Sequence, residues 1–244
     1  MPHRAAAAMA ALAASSGTLL SASPAASAAS STAKQLVVRA IANSKTASSV
    51  EVVGTVSTAS QTVGLNVRAS NANRGEGTVT INGAVVKIVR VGSSVYFRAD
   101  AAFWTQTAGA AAAAYAGEWV STPANGSNGK SFSEFLGTGA LFAQIFSRSE
   151  VNQATYTEGH NTTVAGRPVL SITVTNTHDG ASGVIDIART GKPYVIELTK
   201  TSSTGSSRLA FSAYNTPVRA TAPRHSVTVQ QLEQRAATPG TAST

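Results

Sequence analysis

No cysteine occurs anywhere in the 244 residues. Its absence excludes disulfides, thiolate metal sites, a cysteine nucleophile and a lipid anchor carried on a cysteine at a processed N-terminus. Acidic residues are scarce as well, 11 Asp and Glu against 19 Lys and Arg, for a formal net charge of +8. The basic residues stand one or two at a time, with no block or basic helix of the kind that grips phosphate. The charge therefore predicts solubility and a mild attraction to anionic surfaces, and no nucleic-acid partner. Beyond the N-terminal leader no run approaches the roughly 18 apolar residues that a membrane-spanning helix needs.

Catalytic and metal-binding patterns are missing too. The chain has no Gly-x-Ser-x-Gly, no His-Glu-x-x-His, no Asp-rich calcium loop and no glycine loop opening a helix after a strand; Gly75-Glu76-Gly77 reads as part of a hairpin turn. His160 and His178 fall in turn-rich stretches, His225 lies near the C-terminus, and no two histidines stand at ligand spacing. Glu51, Asp186 and Glu197 fall in strand-like runs opposite apolar neighbours, which reads as the solvated face of a sheet rather than as a hydrolytic carboxylate pair. Tyr96-Phe97-Arg98 has the composition of a base-stacking strand, but Arg98 is isolated. These absences predict a protein with no cofactor, no metal and no enzymatic activity; a hydrolase built from residues far apart in sequence is the enzymatic alternative.

The chain does carry punctuation. Arg4, the Ala/Leu run from Ala5 to Leu20 and the small-x-small triplet Ala26-Ser27-Ala28 read as a secretory signal peptide over residues 1–28. Thr32-x-x-Gln35 has capping-box spacing, and Leu36, Val37, Ala40 and Ile41 follow at helical intervals, predicting an amphipathic helix from about Ala33 to Thr46. From Ser49 the apolar period falls to two, and Asn82-Gly83 separates two alternating runs as a type I′ hairpin would, so Val50 to Phe97 reads as a five-strand meander. Asp100 is placed to cap an alanine-rich helix reaching Tyr115, and Gly117 to Val120 reads as a short return element. Ser131-x-x-Glu134 looks like a second capping box, opening a helical stripe of Phe132, Phe135, Leu136, Phe142, Ile145 and Phe146 that is broken at Gly137-Thr138-Gly139. Five more strands are expected at Val151–Glu158, Val169–Asn176, Gly183–Ala188, Tyr194–Lys200 and Arg208–Tyr214, with a flexible tail over 224–244. The expected fold is α+β: one domain over 29–223, a curved antiparallel sheet of about ten strands with helices on one face.

Several segments together carry a family resemblance: the N-terminal amphipathic helix, Val89-Arg90-Val91-Gly92-Ser93-Ser94-Val95-Tyr96-Phe97-Arg98 leading to Phe103-Trp104, then Gly117-Glu118-Trp119-Val120, Thr190-Gly191-Lys192-Pro193-Tyr194, and Leu209-Ala210-Phe211-Ser212-Ala213-Tyr214-Asn215-Thr216-Pro217-Val218. In these the chain resembles the LppX/LprG group of actinobacterial cell-envelope lipoproteins, within the wider LolA-like fold, over roughly Ala33 to Pro223. The resemblance implies a half-barrel, a strongly curved antiparallel sheet with the helices over its concave face, enclosing a hydrophobic cavity in which members bind acylated lipids, and no catalytic residues. One departure stands out: typical members carry a lipobox cysteine at the end of the signal peptide, and this chain has none. The expectation is thus a secreted, unanchored, monomeric binding protein for a lipid or other acylated ligand, with a transient protein partner in the cell envelope. The expected cavity is lined from the sheet by Val86, Ile88, Phe97, Ile172 and Ile196 and from the helices by Trp104, Phe135, Leu136, Phe142 and Phe146. The alternative is the same half-barrel with its hollow filled by side chains, working through its outer surface on an envelope partner.

Overall fold

The structure, a computed structural model, describes residues 24–177 and 180–237. The leader up to residue 23, the turn residues His178 and Asp179, and residues 238–244 lie outside the described residues. The chain opens with α1 (Pro24–Thr46) and continues through β1 (Ser49–Thr58), β2 (Thr62–Ser70), β3 (Arg74–Ile81), β4 (Ala84–Val91) and β5 (Ser94–Ala99). After the connecting helices and β6 (Val120–Pro123) come β7 (Ala154–Val164), β8 (Arg167–Asn176), β9 (Ser182–Ala188), β10 (Val195–Ser202) and β11 (Gly205–Ser212). A two-residue strand β12 (Val227–Thr228) and α6 (Val229–Ala237) close the described chain.

All twelve strands form one unclosed, strongly curved sheet in the order β12-β6-β5-β4-β3-β2-β1-β11-β10-β9-β8-β7. Every neighbouring pair is antiparallel except β12 on β6, which is parallel. The α+β half-barrel expected from the sequence is therefore the fold, with two more strands than the ten expected. Those two are β6, which lies just after the expected return element Gly117–Val120, shares only Val120 with it and pairs with β5, and β12, which pairs with β6. Asn82 and Gly83 both take positive φ, 49° and 85°, as a type I′ hairpin requires.

Close strand approach at two glycines supports the curvature. A Cβ on Gly54 would lie 2.0 Å from the Arg208 carbonyl oxygen, and one on Gly77 2.3 Å from that of Asn66. Gly75 and Gly77 thus belong to β3 itself, and not to a hairpin turn as the sequence suggested.

Several local expectations are corrected. Helix α1 is already formed from Pro24, so Thr32 lies inside the helix and not at its start. Its buried positions Ala33, Val37, Ala40 and Ser44 form one stripe. Asp100 does cap α2 (Ala101–Ala108), accepting from the Phe103 N–H at 2.8 Å, but Gly109 at φ 90° ends that helix. A separate 3₁₀ helix then carries Ala110–Tyr115. Helix α3 (Ser127–Leu136) begins upstream of Ser131, which is therefore mid-helix, and the break to α4 (Thr138–Ile145) falls at Gly137. Residues 151–153 are helical: Ser147 caps α5 (Arg148–Gln153), and strand β7 starts only at Ala154. The stretch expected as a flexible tail carries β12 and α6.

Candidate functional site

The concave face of the sheet is read off the register. Val52, Val67, Gly77, Ile88, Phe97 and Val120 lie side by side across β1 to β6, and Val52 also faces Phe211 of β11. Helices α2 to α4 lie against the β2–β5 part of this row, while α1 packs over β7, β9 and β10 and against α4. Seven of the ten residues expected to line a cavity, Val86, Ile88, Phe97, Trp104, Leu136, Phe142 and Ile172, join one hydrophobic core, and Phe135 and Phe146 pack against it. Ile196 is buried but stands outside that core, at the β-bulge between Val195 and Glu197.

The sequence did not foresee how these groups meet. Phe142 of α4 stacks on Phe211 of β11 with ring centroids 5.1 Å apart and on Phe146 at 6.0 Å. Phe97 of β5 stacks on Phe132 of α3 at 5.0 Å and touches Trp104 at 6.0 Å; Trp104 in turn meets Phe103 and Tyr115 edge-on. Such contacts are each worth about 0.5–1.5 kcal/mol beyond the area they bury. Val86, Ile88, Leu136, Phe142 and Ile172 are 0% exposed, so no water-sized void touches them. Around these five residues the hollow is filled by the protein's own side chains, while Phe132, Phe135 and Phe146 stay partly exposed.

Tyr115, Phe132, Phe211 and Leu232 were missed as site residues. Phe132 and Phe211 sat in segments read correctly as helix and strand, but only the register shows which rings meet. Leu232 could have been found from Thr228-x-x-Gln231, a capping box just ahead of it.

Among the described residues, two buried side-chain polar atoms have no partner: Trp104 Nε1 and Thr138 Oγ1. Elsewhere polar groups tie the frame together. The Tyr214 hydroxyl donates to the Val195 carbonyl oxygen at 2.7 Å and accepts from the Ser44 hydroxyl at 3.2 Å, fixing α1 over β10, and burial pushes its pKa up. Tyr156 donates to the Val151 carbonyl oxygen at 2.8 Å, and burial raises its pKa to about 12. Burial alone would raise the Glu150 pKa, but hydrogen bonds from Lys200 and Ser147 outweigh it and hold the carboxyl below its ordinary value.

The carboxylates behave differently from the expected solvated row. Asp186 is buried and accepts a short hydrogen bond from the Ser171 hydroxyl, while Glu197, its partner across the strand pair, is bridged by Arg208 at 3.2 Å. No group of three or more His, Cys, Asp or Glu placed to hold a metal occurs among the described residues, and none of their helices is long and apolar enough to cross a membrane.

No protein-family model and no curated protein matches this sequence. Solved structures do. LprF from Mycobacterium bovis superposes with a TM-score of 0.52 at 14% identity, over 80% of this chain and 98% of that one. Lipoprotein LppX from Mycobacterium tuberculosis gives 0.49 at 14% identity, over 78% and 99%. The MucA/MucB complex of Pseudomonas aeruginosa gives 0.41 at 13%, over 78% and 59%. The resemblance read from the sequence is thus met in the fold: this chain has the half-barrel architecture of LprF.

Proposed function

We propose that this is a non-enzymatic, extracytoplasmic binding protein that takes a lipid or other acylated ligand between its sheet and its helices. One observation carries the reading: α3 and α4 meet the concave face through apolar rings, Phe132 on Phe97 and Phe142 on Phe211, while hydrogen bonds from these helices to the frame sit in rim turns. Ser133 donates there to the Ala124 carbonyl oxygen and the Gly139 N–H to Asn71. An acyl chain can replace such ring contacts with equivalent apolar ones. Each CH₂ it buries contributes about 0.8 kcal/mol, which offsets the cost of lifting the helices away from the sheet. Affinity then follows chain length, and the protein works as a soluble monomer without a lipid anchor, handing its ligand to an envelope partner.

The test is native mass spectrometry of protein purified from its own host, followed by organic extraction. A stoichiometric acylated molecule supports the reading; a clean apo mass that stays unchanged after incubation with host lipids overturns it. A second reading rests on the filled hollow, since residues with no exposed surface are equally those of a finished core. On that reading the half-barrel is a rigid module acting through its outer surface. Replacing Phe142 by Asp then destabilises the protein without an uptake activity to lose.

A further inference from the structure

The β12–α6 segment lies at one edge of the sheet, against the aromatic end of the hollow. Its attachments are few and local. Val227 N–H donates to the Trp119 carbonyl oxygen at 2.9 Å, and the Ser121 hydroxyl donates to the Val227 carbonyl oxygen at 3.3 Å. Arg235 Nη1 reaches both carboxylate oxygens of Glu118 at 3.2 and 3.0 Å. Helix α6 is capped at its start by its own residues, because Thr228 N–H donates to Gln231 Oε1 and Gln231 N–H to Thr228 Oγ1. The chain leading to it is pinned at Ala220, whose carbonyl oxygen accepts from Arg74 at 3.0 Å. From Thr221 to Ser226 it has no regular structure and is largely exposed.

What this segment covers is chemically particular. Leu232 puts its side chain into the core, and its carbonyl oxygen accepts from the Tyr115 hydroxyl at 3.4 Å. Tyr115 packs edge-on against Trp104, ring centroids 5.8 Å apart, and the Trp104 indole N–H is buried with no acceptor. A buried N–H without a partner costs about 1–3 kcal/mol. Two hydrogen-bond donors are thus carried on touching rings: the Tyr115 hydroxyl, whose proton the Leu232 carbonyl oxygen accepts, and the unpartnered Trp104 N–H, with Phe97 and Phe103 against Trp104 and Phe132 against Phe97. An acyl ester or fatty carboxylate presents the same pairing of apolar chain and oxygen acceptor.

We propose that β12–α6 is a detachable latch that occupies, through Leu232, the site for the oxygen-bearing end of an acyl ligand, whose chain enters the hollow and whose oxygen accepts from Trp104 Nε1 and Tyr115. This rests on the reading that the hollow takes acyl ligands. Release of the latch frees Tyr115, supplies Trp104 with an acceptor and opens the aromatic end from the edge of the sheet, where β6 pairs with only two residues of β12.

The test uses the full chain and its lack of cysteine. Val120 and Val227 are Cα partners in the parallel ladder, so Val120→Cys with Val227→Cys gives a single pair that closes the latch when oxidised and frees it when reduced. Binding of cis-parinaric acid, followed by its own fluorescence, is expected to be about tenfold or more weaker in the oxidised protein than in the reduced one, because affinity scales with the fraction of protein in the open state. In the reduced protein, Trp104→Phe should weaken the acid about three- to tenfold, the loss of one hydrogen bond. It should leave diphenylhexatriene, a hydrocarbon with no acceptor, unchanged. Equal binding in both redox states overturns the latch while leaving the hollow as a binding site. Equal loss of both probes on Trp104→Phe overturns the donor role. No binding of either probe in any state overturns the hollow itself, and the latch with it. Circular dichroism of each variant confirms that the comparison is between folded proteins.

Discussion

Whether the hollow is filled in solution can be decided at Phe142. Its ring is 0% exposed and stacks on Phe211 at 5.1 Å and on Phe146 at 6.0 Å. If the packing described is that of the protein in water, Phe142→Ala removes a fully buried ring and leaves a void that the rigid sheet cannot close. Substitutions of this kind cost about 3–5 kcal/mol, a large share of the roughly 5–15 kcal/mol that holds a domain folded. For a domain near 200 residues each kcal/mol moves Tm by about 2–4 °C, so the expected fall in a calorimetric scan is roughly 6–20 °C. The Phe142→Ala, Phe211→Ala double-mutant cycle should show a coupling of about 0.5–1.5 kcal/mol from the stacked pair. Cis-parinaric acid should return part of the lost Tm to Phe142→Ala, because the void it leaves is apolar and stays dry. A fall below about 3 °C with no coupling would refute the reasoning: Phe142 would then face an open cavity already, and the helices would stand off the sheet.

Other consequences are simpler to state. Gly77→Ala puts a Cβ 2.3 Å from the Asn66 carbonyl oxygen and 2.6 Å from the Val67 Cα; β2 and β3 must part, and urea unfolding should show a loss of about 1–3 kcal/mol. Tyr156 keeps its proton to about pH 12 in the folded state, against an ordinary 10. Its contribution is therefore intact below pH 10 and falls by about 1.4 kcal/mol per pH unit between 10 and 12, as the unfolded chain ionises first. Tyr156→Phe should flatten that alkaline decline measured by denaturant titration, at a cost near neutrality of about 1 kcal/mol for the hydrogen bond to Val151. An unchanged alkaline slope would mean that this hydroxyl is solvated. Glu150 is held in its charged form by Lys200 at 2.8 Å. Lys200→Met should accordingly raise the Glu150 pKa, a change visible by carboxyl chemical shifts on acid titration, and an unmoved pKa would show that the pair is not formed.

How much of this could be read from the chain depended on whether the signal was local. Asn82-Gly83 sets positive φ at two successive residues, so the β3–β4 hairpin follows from two side chains alone. Asp100 before Ala101 fixes a helix start in the same way. Where capping-box spacing recurred inside an amphipathic run, as at Thr32 and Ser131, tertiary packing carried the helix past it, and a side chain suited to a cap was left mid-helix. The C-terminal segment was misread for the opposite reason. Its Val227, Val229 and Leu232 are too few to predict burial, and only the free edge of β6, formed by residues more than a hundred positions earlier, gives them something to pack against.

The site was legible as a set of residues but not as a state. Of the ten residues expected to line a cavity, five on strands and five on helices, nine reach the core or pack on it, although β4 is apolar on both faces and its spacing alone does not say which face looks inward; Ile196 is displaced by a bulge that no local pattern announces. Whether those side chains meet is set by a global quantity, the gap between the curved sheet and its helical layer. That gap is small at Gly75, where a Cβ would lie 2.7 Å from Leu136 Cβ, so that the α3 side chain sits directly on β3. Glycines in strands are normally weak points. Here one of them lets a helix lie close to the sheet, and the rings meet at Phe97 with Phe132 and at Phe211 with Phe142. On the proposed acyl-binding reading, the ring contacts of Phe97 with Phe132 and of Phe142 with Phe211 are the ones a ligand's chain would replace, alongside aliphatic contacts such as Leu136 on β3.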